Sequence, residues 1–187
     1  MSASPSRSHI EVRIAAALGL AALACCGGDD KCGPGTAAAD GLSLAGTGVD
    51  VKYAGLVASP NNDCPAVGAP GDVTSVTVSG TQVGSSFSVT LCIPRPDLLA
   101  STPGTLGTDV KIIDMGANIG NGCTLARSAT GTPTGTVVAS GLCGAGKNAA
   151  GFALTFDGVV PIKRTCNGTT DVLDLALTGT VAVSAPH

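Results

Sequence analysis

Apolar and polar residues alternate with a period of two along several segments of residues 42–185, and no stretch outside the first 26 residues keeps a helical period. In an extended strand successive side chains point to opposite faces, so such a period makes each segment a ribbon with one buried face. Thr and Val are frequent and turn residues recur, as strands and their connections require. The pattern predicts an all-β fold, an antiparallel β-sandwich of about seven to nine strands, with a small β-barrel as the alternative. Residues 42–187 are expected to form one β domain.

Particular segments carry this expectation. Val49, Val51, Tyr53, Gly55 and Val57 are predicted to line one side of a strand, with Asp50 and Lys52 opposite. Asp72–Ser79 and Ser85–Ile93 read as the arms of a hairpin around a loop at Gly80–Gly84. The second arm aims Phe87, Val89, Leu91 and Ile93 inward and leaves Cys92 on the other face. Phe152, Leu154 and Phe156 form one apolar row, and Val160 and Ile162 another. Only an odd loop puts both rows of a hairpin on one face, which predicts a bulge or three-residue turn at Asp157-Gly158-Val159. Leu173, Leu175, Leu177, Gly179, Val181 and Val183 are predicted to face inward along a long last strand, with a bend or bulge at Gly179. Thr130–Gly135 reads as an exposed loop.

The chain has eight cysteines. Two are adjacent, Cys25 and Cys26. The others, Cys32, Cys64, Cys92, Cys123, Cys143 and Cys166, each lie 20 or more residues from the next. Zinc sites bring cysteines in close pairs, usually with histidine, whereas these six are spread singly with no histidine between them. An even set so spaced predicts three disulfides and an oxidising compartment. Six cysteines allow 15 pairings. The pairing expected is Cys123 with Cys143, Cys92 with Cys166 and Cys32 with Cys64, which leaves Cys26 as an odd thiol.

The N-terminus explains how the chain would reach such a compartment. Arg7 and Arg13 precede an unbroken apolar run of eleven residues, Ile14–Ala24, which stops at Cys25-Cys26. A basic start, a short apolar core and small residues at its end are the layout of a secretory signal peptide, here residues 1–24. A spanning helix needs about 20 apolar residues, so this run is too short to anchor the chain. Leu20-Ala-Ala-Leu-Ala-Cys25 resembles a bacterial lipobox, the recognition sequence of lipoprotein signal peptidase. The resemblance covers about the first thirty residues. It departs from the usual pattern at Ala22, where Leu is customary. It implies that Cys25 is lipidated, with Cys26 as the alternative, and that residues 25–41 form a flexible tether. Ala22-Leu23-Ala24 also fits ordinary cleavage, which would give a soluble secreted protein. Two acyl chains on Cys25 would hold the protein stably at a membrane, because one chain alone binds only marginally.

Cleavage would also change the inventory. Taking Arg7 and Arg13 from ten Lys plus Arg, and Glu11 from thirteen acidic residues, leaves eight against twelve, a net charge of minus four. No basic patch is present, so no nucleic-acid partner is expected. Without His9 and Glu11 the processed chain has no Glu, and its only His is His187. General acid–base catalysis draws mostly on those residues, and no Ser-nucleophile motif replaces them. The chain is therefore expected not to be an enzyme.

Three segments imitate functional motifs. Gly141–Asn148 approaches the phosphate-binding pattern G-x-x-x-x-G-K-[ST], but Asn148 stands where the magnesium-binding hydroxyl belongs. No nucleotide is expected. Asn167-Gly-Thr169 matches a glycosylation sequon but reads better as a turn before the last strand. Ser59-Pro-Asn-Asn-Asp63 offers oxygens without the spacing of a calcium loop, so no metal and no cofactor are expected. Asp171 and Asp174 lie three apart on a strand and point to opposite faces. The expectation is a cell-envelope lipoprotein, held to the membrane by its lipid, whose β domain is a structural or protein-interaction module with a possible envelope protein partner. A carrier of a small apolar ligand between the sheets is the alternative. Sugar binding is disfavoured by one Tyr, three Phe and no Trp.

Overall fold

In the computed structural model, residues 41–61, 64, 73–82, 84–143 and 151–184 are described. They form eleven strands and one short helix: β1 (Gly41–Gly46), β2 (Val49–Tyr53), β3 (Val57–Asn61), β4 (Val73–Gln82), β5 (Ser85–Pro94), α1 (Pro96–Ser101), β6 (Gly104–Thr105), β7 (Lys111–Gly120), β8 (Cys123–Arg127), β9 (Thr134–Cys143), β10 (Gly151–Cys166) and β11 (Thr169–Ser184). The hydrogen-bonded order is β2-β1-β11-β3-β4-β5-β7-β8-β10-β9-β6, and β10 also pairs with β11. That last pairing is antiparallel and runs from Gly151 against Ser184 to Cys166 against Thr169.

This hairpin of two 16-residue strands organises the fold. One edge of β10 carries β9 along residues 151–159 and β8 along residues 162–166. The free edge of β11 carries β1 along residues 176–180 and meets β3 at Val183 with Ala58. The run β2-β1-β11-β10-β9-β6 therefore forms one layer and β3-β4-β5-β7-β8 the other. The layers share one core, in which Leu42, Leu177 and Phe152 of the first meet Val78, Val89 and Leu91 of the second. Tyr53 of β2 stacks on Phe87 of β5 across that core, ring centroids 4.9 Å apart. The circuit is not a regular barrel, since β11 and β3 meet through a single residue pair among the described residues.

The all-β sandwich expected from the alternation is what the chain adopts, with more strands than the seven to nine expected. The β4–β5 hairpin is tighter than Gly80–Gly84 suggested, because pairing continues to Gln82 with Ser85. That register sets Val76 against Leu91, Val78 against Val89 and Gly80 against Phe87. A five-residue loop would have set valines against serines and put the two apolar rows on opposite faces.

The hairpin expected at Asp157-Gly158-Val159 does not exist. These residues lie inside β10, paired without a break to β11 on one side and β9 on the other. Phe156 and Val160 share a face because they are four residues apart on one strand, and Gly158 continues the row between them. A Cβ on Gly158 would come within 2.5 Å of the Thr134 carbonyl oxygen and 3.0 Å of Leu106 Cδ2, so the position accepts only glycine.

Two further differences have local causes. Gly55 adopts φ +64, which ends the strand after Tyr53, and Val57 emerges 64% exposed instead of continuing the inner row. Residues 96–101 form a helix, started by Pro96 with Asp97 in its first turn, which buries Leu99. Gly179 bends β11 as expected: its φ is +121 while its register to β10 is unbroken, so it is a bend and not a bulge. A Cβ there would overlap the Gly41 carbonyl oxygen.

Candidate functional site

The β10–β11 hairpin gives the sandwich two distinguishable poles. At one, β10 ends at Cys166 and β11 begins at Thr169, with only Asn167-Gly168 between them. Both turn residues have positive φ, +48 and +85, as a type I′ turn requires. Asn121-Gly122 connects β7 and β8 in the same way, with φ of +52 and +72. The two tips touch, since the Asn167 N–H donates to the Gly122 carbonyl oxygen at 3.2 Å. A Cβ on Gly122 would meet only the Asn167 side chain, which can turn aside, so glycine is needed there for its φ. Asn167 thus lies in the turn expected for it.

A disulfide fastens these tips. Cys123 and Cys166 are direct cross-strand partners, Cα 4.1 Å apart, and are bonded to each other. Antiparallel pairs that share no hydrogen bond bring Cα atoms to about 4.5 Å, the closest approach a sheet offers. Two residues further from the tip, Arg164 faces Asp171. Its Nε donates to Oδ1 at 3.0 Å and its Nη2 to Oδ2 at 2.6 Å. The hydrogen bonds and charge of Arg164 hold the Asp171 carboxyl below its ordinary pKa. Nη1 of Arg164 donates to the Thr47 carbonyl oxygen at 3.2 Å, which ties the β1–β2 turn to the same pole.

The second disulfide joins Cys64 to Cys92, both buried. Cys92 lies on the face of β5 opposite Leu91 and Ile93, as expected. Cys143, at the end of β9, is disulfide-bonded as well. The expected pairing is therefore corrected throughout: Cys123 is bonded to Cys166 and not Cys143, and Cys92 to Cys64, which excludes Cys92–Cys166 and Cys32–Cys64. Sequence separation could not rank these alternatives, because cross-strand register decides which cysteines meet.

An open trough of about 590 Å³ lies on the outer face of the second layer. It follows one row of the sheet, in which Val57 pairs with Ser79, Ser79 with Ser88 and Ser88 with Gly116. Small side chains side by side on four strands make the depression. Hydroxyls continue around it, and Thr77 and Thr90 hydrogen-bond to each other at 3.2 Å. No single segment of the sequence contains this row, since it appears only when β3, β4, β5 and β7 are in register.

The other candidates disperse. Ser59, Pro60 and Asn61 lie within β3, while Asn62 and Asp63 fall outside the described residues. Gly141–Cys143 are the end of β9, and residues 144–148 lie outside the described residues. So do residues 1–24, expected to be a signal peptide, and Cys25, Cys26 and Cys32. Among the described residues no group of three His, Cys, Asp or Glu side chains could hold a metal ion. No helix among them is long and apolar enough to cross a membrane. All four aromatic rings of the chain, Tyr53, Phe87, Phe152 and Phe156, are at most 2% exposed.

Comparison with known proteins returns no matching family model, no curated relative and no solved structure.

Proposed function

We infer that the chain is an exported lipoprotein of the bacterial cell envelope, anchored through Cys25, whose β-sandwich is a non-catalytic structural or protein-interaction module. The observation that carries this reading is the sequence itself: a basic start, an apolar run too short to span, and Leu20-Ala-Ala-Leu-Ala immediately before Cys25. The disulfides Cys64–Cys92 and Cys123–Cys166 support export, because such bonds persist in oxidising compartments.

Two features favour an interaction module over the alternatives. The trough is lined by Gly, Ser and Thr together with Val57 and Phe87, and it opens outward, whereas a carrier of apolar ligands needs an enclosed apolar cavity between the layers. The buried rings leave no aromatic platform on which a sugar could stack.

Cell fractionation of a Cys25→Ser variant tests the anchor. Wild-type protein is expected in the membrane fraction, released by detergent but not by high salt. The variant is expected to lose that partitioning. Wild-type protein found wholly in the soluble exported fraction would favour ordinary secretion instead.

A further inference from the structure

We propose that Asn121 and Asn167 are latent deamidation sites, held shut by the joined tips of the two hairpins that carry them. The sites stand on the fold alone and do not depend on export or lipidation.

Asn-Gly is the dipeptide in which an asparagine side chain cyclises most readily, because glycine puts no side chain beside the attacking nitrogen. The chain contains it twice, at Asn121-Gly122 and at Asn167-Gly168. Both copies are turns, one between Gly120 and Cys123 and the other between Cys166 and Thr169, and all four turn residues are exposed. Every Asn-Gly of the chain therefore sits at one pole, open to water.

The reaction makes a strict geometric demand. The glycine backbone nitrogen attacks the asparagine Cγ, gives up its proton to base, and ammonia leaves. Water then opens the five-membered succinimide to aspartate or isoaspartate. Ring closure needs Cβ and the glycine nitrogen eclipsed about the asparagine Cα–C bond, a torsion near zero. In a type I′ turn the first central residue has ψ of about +30°, which sets that torsion at about 150°. Asn121 and Asn167 have φ of +52 and +48, and their glycines +72 and +85, so both dipeptides hold this turn. The nitrogen is thus turned away from the carbon it must reach.

One movement opens the sites. Turning over the central peptide converts type I′ to type II′, where ψ of about −120° at asparagine brings the torsion to zero. The same movement drives the glycine φ from positive to about −80°, so the turn must rearrange as a whole. The pole resists that rearrangement. The Cys123–Cys166 disulfide directly flanks both turns. The Asn167 N–H donates to the Gly122 carbonyl oxygen at 3.2 Å, and the Asn167 side chain lies beside Gly122. The Gly120 N–H donates to Asn118 Oδ1 at 2.9 Å, which closes the base of the first turn. A dithiol that reduces Cys123–Cys166, becoming a disulfide itself, removes the covalent part of this restraint.

Peptide mapping after incubation at mildly alkaline pH tests both claims. Tryptic peptide 112–127 reports Asn121 and peptide 165–187 reports Asn167, each by the mass gain of amide-to-acid conversion and a split into aspartate and isoaspartate forms. Three samples are compared with their zero-time digests: folded wild type, wild type unfolded in urea with reductant, and a Cys123→Ser/Cys166→Ser double variant whose thermal transition shows it folded. Folded wild type is expected to convert both asparagines at least about tenfold more slowly than the unfolded sample, since reaction waits on a rare local opening. The double variant is expected to convert them severalfold faster than folded wild type. Equal rates in folded and unfolded wild type would overturn the closed sites, and that comparison needs no variant. A folded double variant no faster than wild type would overturn the role of the disulfide.

Discussion

Tyr53 and Phe87 come from opposite layers of the sandwich and stack at 4.9 Å with an angle of 29° between their rings. This pair bridges β2, an edge strand of one layer, to β5 in the middle of the other. The Tyr53 hydroxyl is buried and has no hydrogen-bond partner. An unsatisfied buried hydroxyl costs about 1–3 kcal/mol, whereas the ring contributes through burial and stacking. Tyr53→Phe is therefore expected to hold stability constant or raise it by about 1 kcal/mol, and Tyr53→Ala to lower it by about 3–5 kcal/mol. Urea unfolding of the two variants measures both.

The same burial raises the Tyr53 pKa above 10.0. The folded state therefore resists ionisation that the unfolded chain permits. The stability held below pH 10 should fall as pH rises from the unfolded value through the folded one. Tyr53 is the only Tyr in a chain without Trp, so phenolate absorbance reports this group alone. Absorbance is expected to rise together with unfolding, and the alkaline loss to be reduced in Tyr53→Phe. Full titration near pH 10 with the fold intact would contradict this.

Asp171 gives the opposite dependence. Arg164 lowers its pKa below 3.8, so its contribution is present above the unfolded value and lost as pH falls through the folded one. Asp171→Asn should be less stable than wild type at neutral pH, with the difference fading in acid. The pair is open to solvent, so the neutral-pH effect should shrink in high salt. Denaturation midpoints across pH and salt test this.

The disulfides Cys64–Cys92 and Cys123–Cys166 should separate by access. Cys64 and Cys92 are 4% and 1% exposed, whereas Cys123 and Cys166 lie half-buried at the turns. Mild reductant followed by alkylation is expected to label Cys123 and Cys166 first. Replacing either pair should cost about 2–4 kcal/mol.

Gly179→Ala should cost about 2–4 kcal/mol, combining strain at φ +121 with overlap against the Gly41 carbonyl oxygen. Thr169→Ala, at the exposed start of the same strand, is the control, with a change of at most about 0.5 kcal/mol expected. Thermal unfolding of both compares them directly.

Much of the fold was legible where a local rule matched a long-range requirement. The row from Leu173 to Val183 read correctly because a strand buried on one face writes its period into its own residues. Asn167-Gly168 read as a turn because its φ demand is local. The β10 row was misassigned because Asp157-Gly158 is a turn signal in isolation, and only the neighbours β9 and β11 hold it extended. Helix α1 is under two turns long, too short to show a period. The disulfide partners and the Ser79–Ser88–Gly116 row depend on strand register, which no single segment contains.

The mass of the mature protein from native membranes, taken before and after reduction, bears most directly on the whole account. A chain beginning at Cys25, carrying a diacylglyceryl group and gaining six hydrogens on reduction, is the predicted result. An unmodified chain that retains residues 1–24 and gains none would contradict it.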